Sequence, residues 1–107
     1  MAKTDRELLD LAARAAGIEG KWSEWDHAYG DYRERGLDYG GHTLWNPLDD
    51  DGDALRLAVK LGLWVHIGKY DVAIEGTSVE ESCVKCPYAA TRRAIVRAAA
   101  KMASISR

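Results

Sequence analysis

The sequence predicts an α+β domain: a small antiparallel sheet of about four strands with three helices, in the order α-β-β-α-β-β-α. Three observations carry this. Apolar residues recur at helical spacing in three segments with recognisable ends. Short strand-like runs bounded by glycines lie between those segments. The 107 residues are enough for one core and too few for two, so residues 1–107 are read as a single domain.

The first helix opens at Thr4-Asp5-Arg6-Glu7, a capping box in which hydroxyl and carboxylate each take a free backbone N–H. Leu8, Leu11, Ala12 and Ala15 then share one face, and Gly17 stops the helix by allowing a left-handed cap. Residues 18–45 spread Trp22, Trp25, Tyr29, Tyr32, Tyr39 and Trp45 among glycines and charges. A loop that long is improbable inside a compact domain, so two or three short strands are expected, with a hairpin turn at Tyr39-Gly40-Gly41-His42.

The second helix is expected from about Asp50 to Leu61. Pro47 keeps Asn46 out of the helical region, so the chain enters the helix extended. Ala54, Leu55, Leu57, Ala58, Val59 and Leu61 cover a wide arc, which predicts central burial with only Arg56 and Lys60 outside. Gly62 is the expected cap. Two strands follow, at 63–67 and 70–75, and Gly68-Lys69 suggests a two-residue hairpin. The stretch from Gly76 to Cys86 is polar and loop-like. The third helix spans roughly Pro87 to Ala103, proline being well suited to a first helical position. Ala94, Ile95, Val96, Ala98, Ala99 and Met102 face inward, with Arg93, Arg97 and Lys101 in an outward row.

Arg92 falls on the apolar arc of that helix, where an unpaired guanidinium would be costly. It must snorkel or meet a carboxylate. The aspartates at 49–53 are the expected partners, which would lock the third helix to the second.

Several chemistries can be weighed. Asp49, Asp50, Asp51 and Asp53 invite a calcium loop, but counting from Asp49 puts Ala54 where glycine is needed and Lys60 where glutamate is needed. Helix capping explains these acids better. Cys83-Val84-Lys85-Cys86 is a CxxC, yet zinc needs two more ligands, and His27, His42 and His66 lie far apart in sequence. Cys83 and Cys86 are therefore weak metal candidates, and no metal or cofactor is expected. No nucleophile motif or phosphate-binding glycine loop is present, so the chain is not read as an enzyme.

Composition narrows the partners. No apolar run approaches the ~18 residues of a membrane span. The first residues lack the apolar core of a signal peptide, and two cysteines fit a reducing cytoplasm. The C-terminal 87–107 segment carries five basic residues and no acid, but the net charge of the whole is −2, which argues against nucleic acid. Four Trp, five Tyr and no Phe favour half-buried and interfacial sites. The candidate binding set is Trp22, Trp25, Tyr29, Tyr32, Arg33, Arg35, Tyr39 and Trp45, with Arg92, since aromatic plus arginine is the composition of interface hot spots.

Three stretches together resemble a family of small tailed-phage and prophage proteins: Thr-Asp-Arg-Glu-Leu-Leu at the start, Leu44–Ala58 around Trp45-Asn46-Pro47-Leu48, and Pro87–Ala100 around Ala90-Thr91-Arg92-Arg93. The resemblance covers a little under half the chain and leaves 18–43 and 75–86 without a counterpart. It implies an intracellular protein of an infected bacterium and carries no catalytic residue. The function expected is a non-enzymatic accessory protein that binds a host or phage macromolecule, such as a host defence or regulatory factor that it would inhibit, with a protein as partner and a homodimer left open. The alternatives are a binder or sequestering protein for a small ligand such as a nucleotide, and a minor zinc-binding structural domain.

Overall fold

The computed structural model describes residues 3–26, 33–40 and 44–105. Helix α1 (Asp5–Ala16) leads to strands β1 (Lys21–Asp26), β2 (Arg33–Asp38) and β3 (Leu44–Trp45). Helix α2 (Asp51–Leu61) is followed by β4 (Val65–Ile67), β5 (Asp71–Ile74) and β6 (Glu80–Ser82), and α3 (Pro87–Ile105) closes the order. The class is α+β as expected. The single sheet of about four strands is not found: the described residues form two antiparallel sheets, β1-β2-β3 and β4-β5-β6. Strand β3 is only two residues long and runs straight into the Asn46-Pro47 turn, so it offers no edge on which the second sheet could continue.

Helix ends obey the local signals. Thr4 and Glu7 form the reciprocal capping box, and the Thr4 backbone N–H holds the Glu7 carboxyl below its ordinary range. Asp50 caps α2 by accepting the Asp53 N–H at 2.8 Å. Gly17 and Gly62 both take left-handed conformations, φ 73° and 65°, at the helix ends where they were expected.

Helix α3 is the spine of the molecule. It packs along α1, against α2, and across β5 and β6. Ala94, Val96, Ala98 and Ala99 are fully buried along it, and α1 contributes buried Ala12, Ala13 and Ala16, so the two backbones approach closely. Val72 and Ile74 of β5 complete this core.

Four local expectations are corrected. Leu55 and Val59 of α2 are 64% and 73% exposed, whereas Ala54, Leu57 and Ala58 are buried. The apolar arc is wider than its helix neighbours, α3 and to a lesser extent α1, can cover. Met102, near the end of α3, is also exposed. The polar stretch before Cys86 contains β6, despite the poor strand preference of Glu80-Glu81-Ser82. Buried Val79 and Cys83 pin it at either side, and Arg97 bonds the Glu81 carboxylate. The hairpin of the second sheet turns one residue later than expected: Gly68 N–H donates to the Asp71 carbonyl at 2.8 Å, leaving Lys69 and Tyr70 at the tip.

Candidate functional site

Arg92 is the hinge of the region with most surface chemistry. Its Nε donates to the Leu48 carbonyl at 2.8 Å and its Nη1 to Asp51 Oδ1 at 2.6 Å. The side chain is 19% exposed and ties the second turn of α3 to the entry of α2. This is the contact the sequence led us to expect.

Asn46 organises the entry itself. Its side-chain carbonyl accepts the N–H groups of Leu48 and Asp49, and its Nδ2 donates to the Arg35 carbonyl at 3.0 Å. Its own N–H donates to Asp53 Oδ2 at 3.0 Å. One buried amide thus joins β2, the turn and α2. Gly36 is required beside it, because a Cβ there would stand 2.5 Å from the Trp45 carbonyl oxygen.

The structure divides the sequence-predicted site. Arg35, Tyr39 and Arg92 do come together, lining a polar cleft of about 550 Å³ between β2 and the α2 entry. Its arginines are engaged: Arg35 with Asp49, Arg56 with Asp53, Arg92 with Asp51. The hydrogen bond that Arg56 donates to the Asp53 carboxylate holds the Arg56 pKa above its ordinary value. Trp45 is a core residue. Trp22 and Trp25 sit half-buried on β1, and the Arg6 guanidinium lies 5.6 Å from the Trp22 ring centre. Tyr29 and Tyr32, like His27 and His42, lie outside the described residues, as does the side chain of Arg33. Cys83 is buried and Cys86 exposed; Cys86 precedes α3, where its Sγ accepts the Ala89 N–H at 3.5 Å. Among the described residues no group of three or more His, Cys, Asp or Glu side chains could hold a metal ion.

A second concavity lies on the other side of the Arg92–Asp51 pair. It is an apolar groove of about 380 Å³, floored by Ala54, Ala58 and Ile95 and walled by Leu55 of α2, Val65 and Ile67 of β4 and Tyr88 of α3. Leu55, Ile67 and Tyr88 are each about two-thirds exposed, and Val59, one turn beyond Leu55 on α2, is exposed as well. Contiguous exposed apolar clusters are uncommon on small monomeric domains. Sequence reasoning missed it by treating every apolar residue of α2 as core. The available signal was the arc itself, too broad for a domain with so few neighbours to bury it.

Comparison of the chain with family models, with curated proteins and with solved structures gives no match. No helix among the described residues is long and apolar enough to cross a membrane.

Proposed function

We propose that this chain is a non-enzymatic protein-binding module, acting in the bacterial cytoplasm as a phage or prophage accessory protein, with the α2–β4–α3 groove as its binding surface. The observation that carries the reading is the clustering of Leu55, Ile67 and Tyr88 around one open concavity. Aromatic and aliphatic anchors around a hollow are what a protein interface needs at its centre. The polar cleft supports a small anionic ligand less well, because its three arginines already face carboxylates. The phage assignment rests on the sequence resemblance alone.

The test is selection of binders from a random peptide library on immobilised full chain. The parent should enrich peptides with closely spaced apolar residues, and a Leu55→Glu, Tyr88→Glu double variant with unchanged circular dichroism should not. Equal enrichment by both would place binding elsewhere. A nucleotide panel that raises the melting temperature, with no peptide enriched, would shift the reading to a small-ligand protein.

A further inference from the structure

We infer that the groove and the free edge of β4 are completed by a second copy of this chain, through antiparallel β4–β4 pairing about a two-fold axis at His66. This rests on the groove being a protein-binding surface, and it names the partner.

The backbone supplies the first argument. Glu75 N–H donates to the Trp64 carbonyl at 2.9 Å and Gly68 N–H to the Asp71 carbonyl at 2.8 Å, both in the register that pairs His66 with Ala73. Bonded and non-bonded pairs alternate in an antiparallel ladder. Trp64, His66 and Gly68 therefore turn their backbone groups toward β5. Val65 and Ile67 turn theirs to the open edge, and these are also the two β4 side chains in the groove. An axis at His66 sets Val65 of each copy opposite Ile67 of the other. Each such pair exchanges both of its backbone hydrogen bonds, giving one continuous six-stranded sheet.

The side chains agree with that register. Trp64 falls opposite Gly68 of the second copy, an aromatic covering a glycine across strands. Lys69 falls opposite Leu63, one residue past the Gly62 cap, where the carbonyl end of α2 favours a cation. The β4 edge also lacks the usual protection against pairing. Its three residues, Val65, His66 and Ile67, include no Lys, Asp, Glu or Pro, whereas β1 carries Lys21, Glu24 and Asp26, and β6 carries Glu80 and Glu81.

The area is adequate. Leu55, Val59, Trp64, Ile67 and Tyr88 present on the order of 600 Å² of side-chain surface, taking ~150–250 Å² for a whole aromatic side chain. A standard interface buries about 800 Å² per partner, and the paired strand backbone and its flanks supply the remainder.

Sedimentation equilibrium of the full chain should show a dimer. Ile67→Lys, at an exposed position whose backbone N–H and C=O face away from β5, should give a monomer with unchanged circular dichroism. Position is tested by crosslinking in a Cys86→Ser background. The two residues at 66 form a non-bonded pair about 4.5 Å apart at Cα, within the ~4.4–6.8 Å of a disulfide. His66→Cys should therefore oxidise to a linked dimer. Trp64→Cys should not, since the two copies of that residue lie roughly 13 Å apart along the strands. A chain that stays monomeric to millimolar concentration overturns the inference, as does a dimer indifferent to Ile67→Lys or linked through residue 64 instead of 66. A monomeric chain that still enriches apolar peptides at the groove would leave the protein-binding reading standing, with another protein as partner.

Discussion

The two sheets have the same number of strands and the same antiparallel order, but they are fastened to the helices by different chemistry. The first is held by Leu37 and Trp45 in the core and by the Asn46 amide, which joins β2 to the α2 entry. The second is held by apolar burial, with Val72 and Ile74 beneath α3, and at β6 by Arg97 of α3, which bonds the Glu81 carboxylate. The edges differ correspondingly. Strand β1 carries charges along its free side, and β4 carries none. A polar anchor fixes geometry closely and leaves little surface unsatisfied. An apolar anchor works from the middle of its sheet and leaves the outer strand uncovered, which is where the groove lies.

The largest expected effects test whether the sheets are separate units. Leu37→Ala and Ile74→Ala should each cost ~2–5 kcal/mol, since both side chains are almost fully buried. Hydrogen exchange should then show protection lost first in the sheet that carries the substitution. Simultaneous loss in both sheets would break the comparison and show one cooperative unit.

Next is the link between the regions. Arg92→Ala should cost roughly 1.5–3 kcal/mol, because it removes a partly buried, charge-assisted contact and frees the Leu48 carbonyl. Arg92→Lys should recover only part of this, as one ammonium cannot reproduce two donors of a planar fork. Arg93→Ala, whose half-exposed side chain meets Asp5, should lose no more than ~1 kcal/mol. Chemical denaturation of the three variants checks the order, and an Arg92→Ala curve matching that of Arg93→Ala would deny the link.

Asn46→Ala should cost about 1–3 kcal/mol by stripping partners from the Leu48 and Asp49 N–H groups and the Arg35 carbonyl. Its footprint in amide spectra should fall on β2 and the α2 entry and spare β4–β6. Shifts throughout the second sheet would mean that the polar anchor serves both.

The smallest effect lies at the charged edge of the second sheet. The side-chain hydrogen bond that the protonated Glu80 carboxyl gives to Asp71, with the Asp71 charge beside it, raises the Glu80 carboxyl above its ordinary range. A carboxyl raised on folding favours the folded state fully below the unfolded pKa, and that contribution is lost as pH rises through the folded value. Glu80→Gln should therefore raise the melting temperature slightly at neutral pH, with the gain vanishing below the carboxylate range. A gain independent of pH would show that Asp71 and Glu80 do not oppose each other.

The helices and their ends were legible in the chain. Thr4 with Glu7, Asp50 with Asp53, and Gly17 and Gly62 act over a few residues, so the sequence alone determines them. Arg92 was legible for a related reason: an ion on an apolar face needs a counter-ion, and the aspartates before α2 were the densest supply. Of the turn expected at Tyr39-Gly40-Gly41-His42, residues 41 and 42 lie outside the described residues; at its start Asp38 accepts the Gly40 N–H at 3.0 Å, a contact that acts over two residues.

Only the tertiary structure decided which part of the α2 arc is buried, because that depends on how much of its circumference α3 covers. The same holds for β6, whose pairing with β5 comes from buried neighbours and Arg97 and not from its own residues. It holds for the split into two sheets as well, since strand partners are chosen across distances in sequence that no local pattern encodes. The sequence could name the apolar residues of the groove. It could not place Leu55, Ile67 and Tyr88 side by side and leave them uncovered, because exposure is the outcome of packing three elements that lie far apart along the chain.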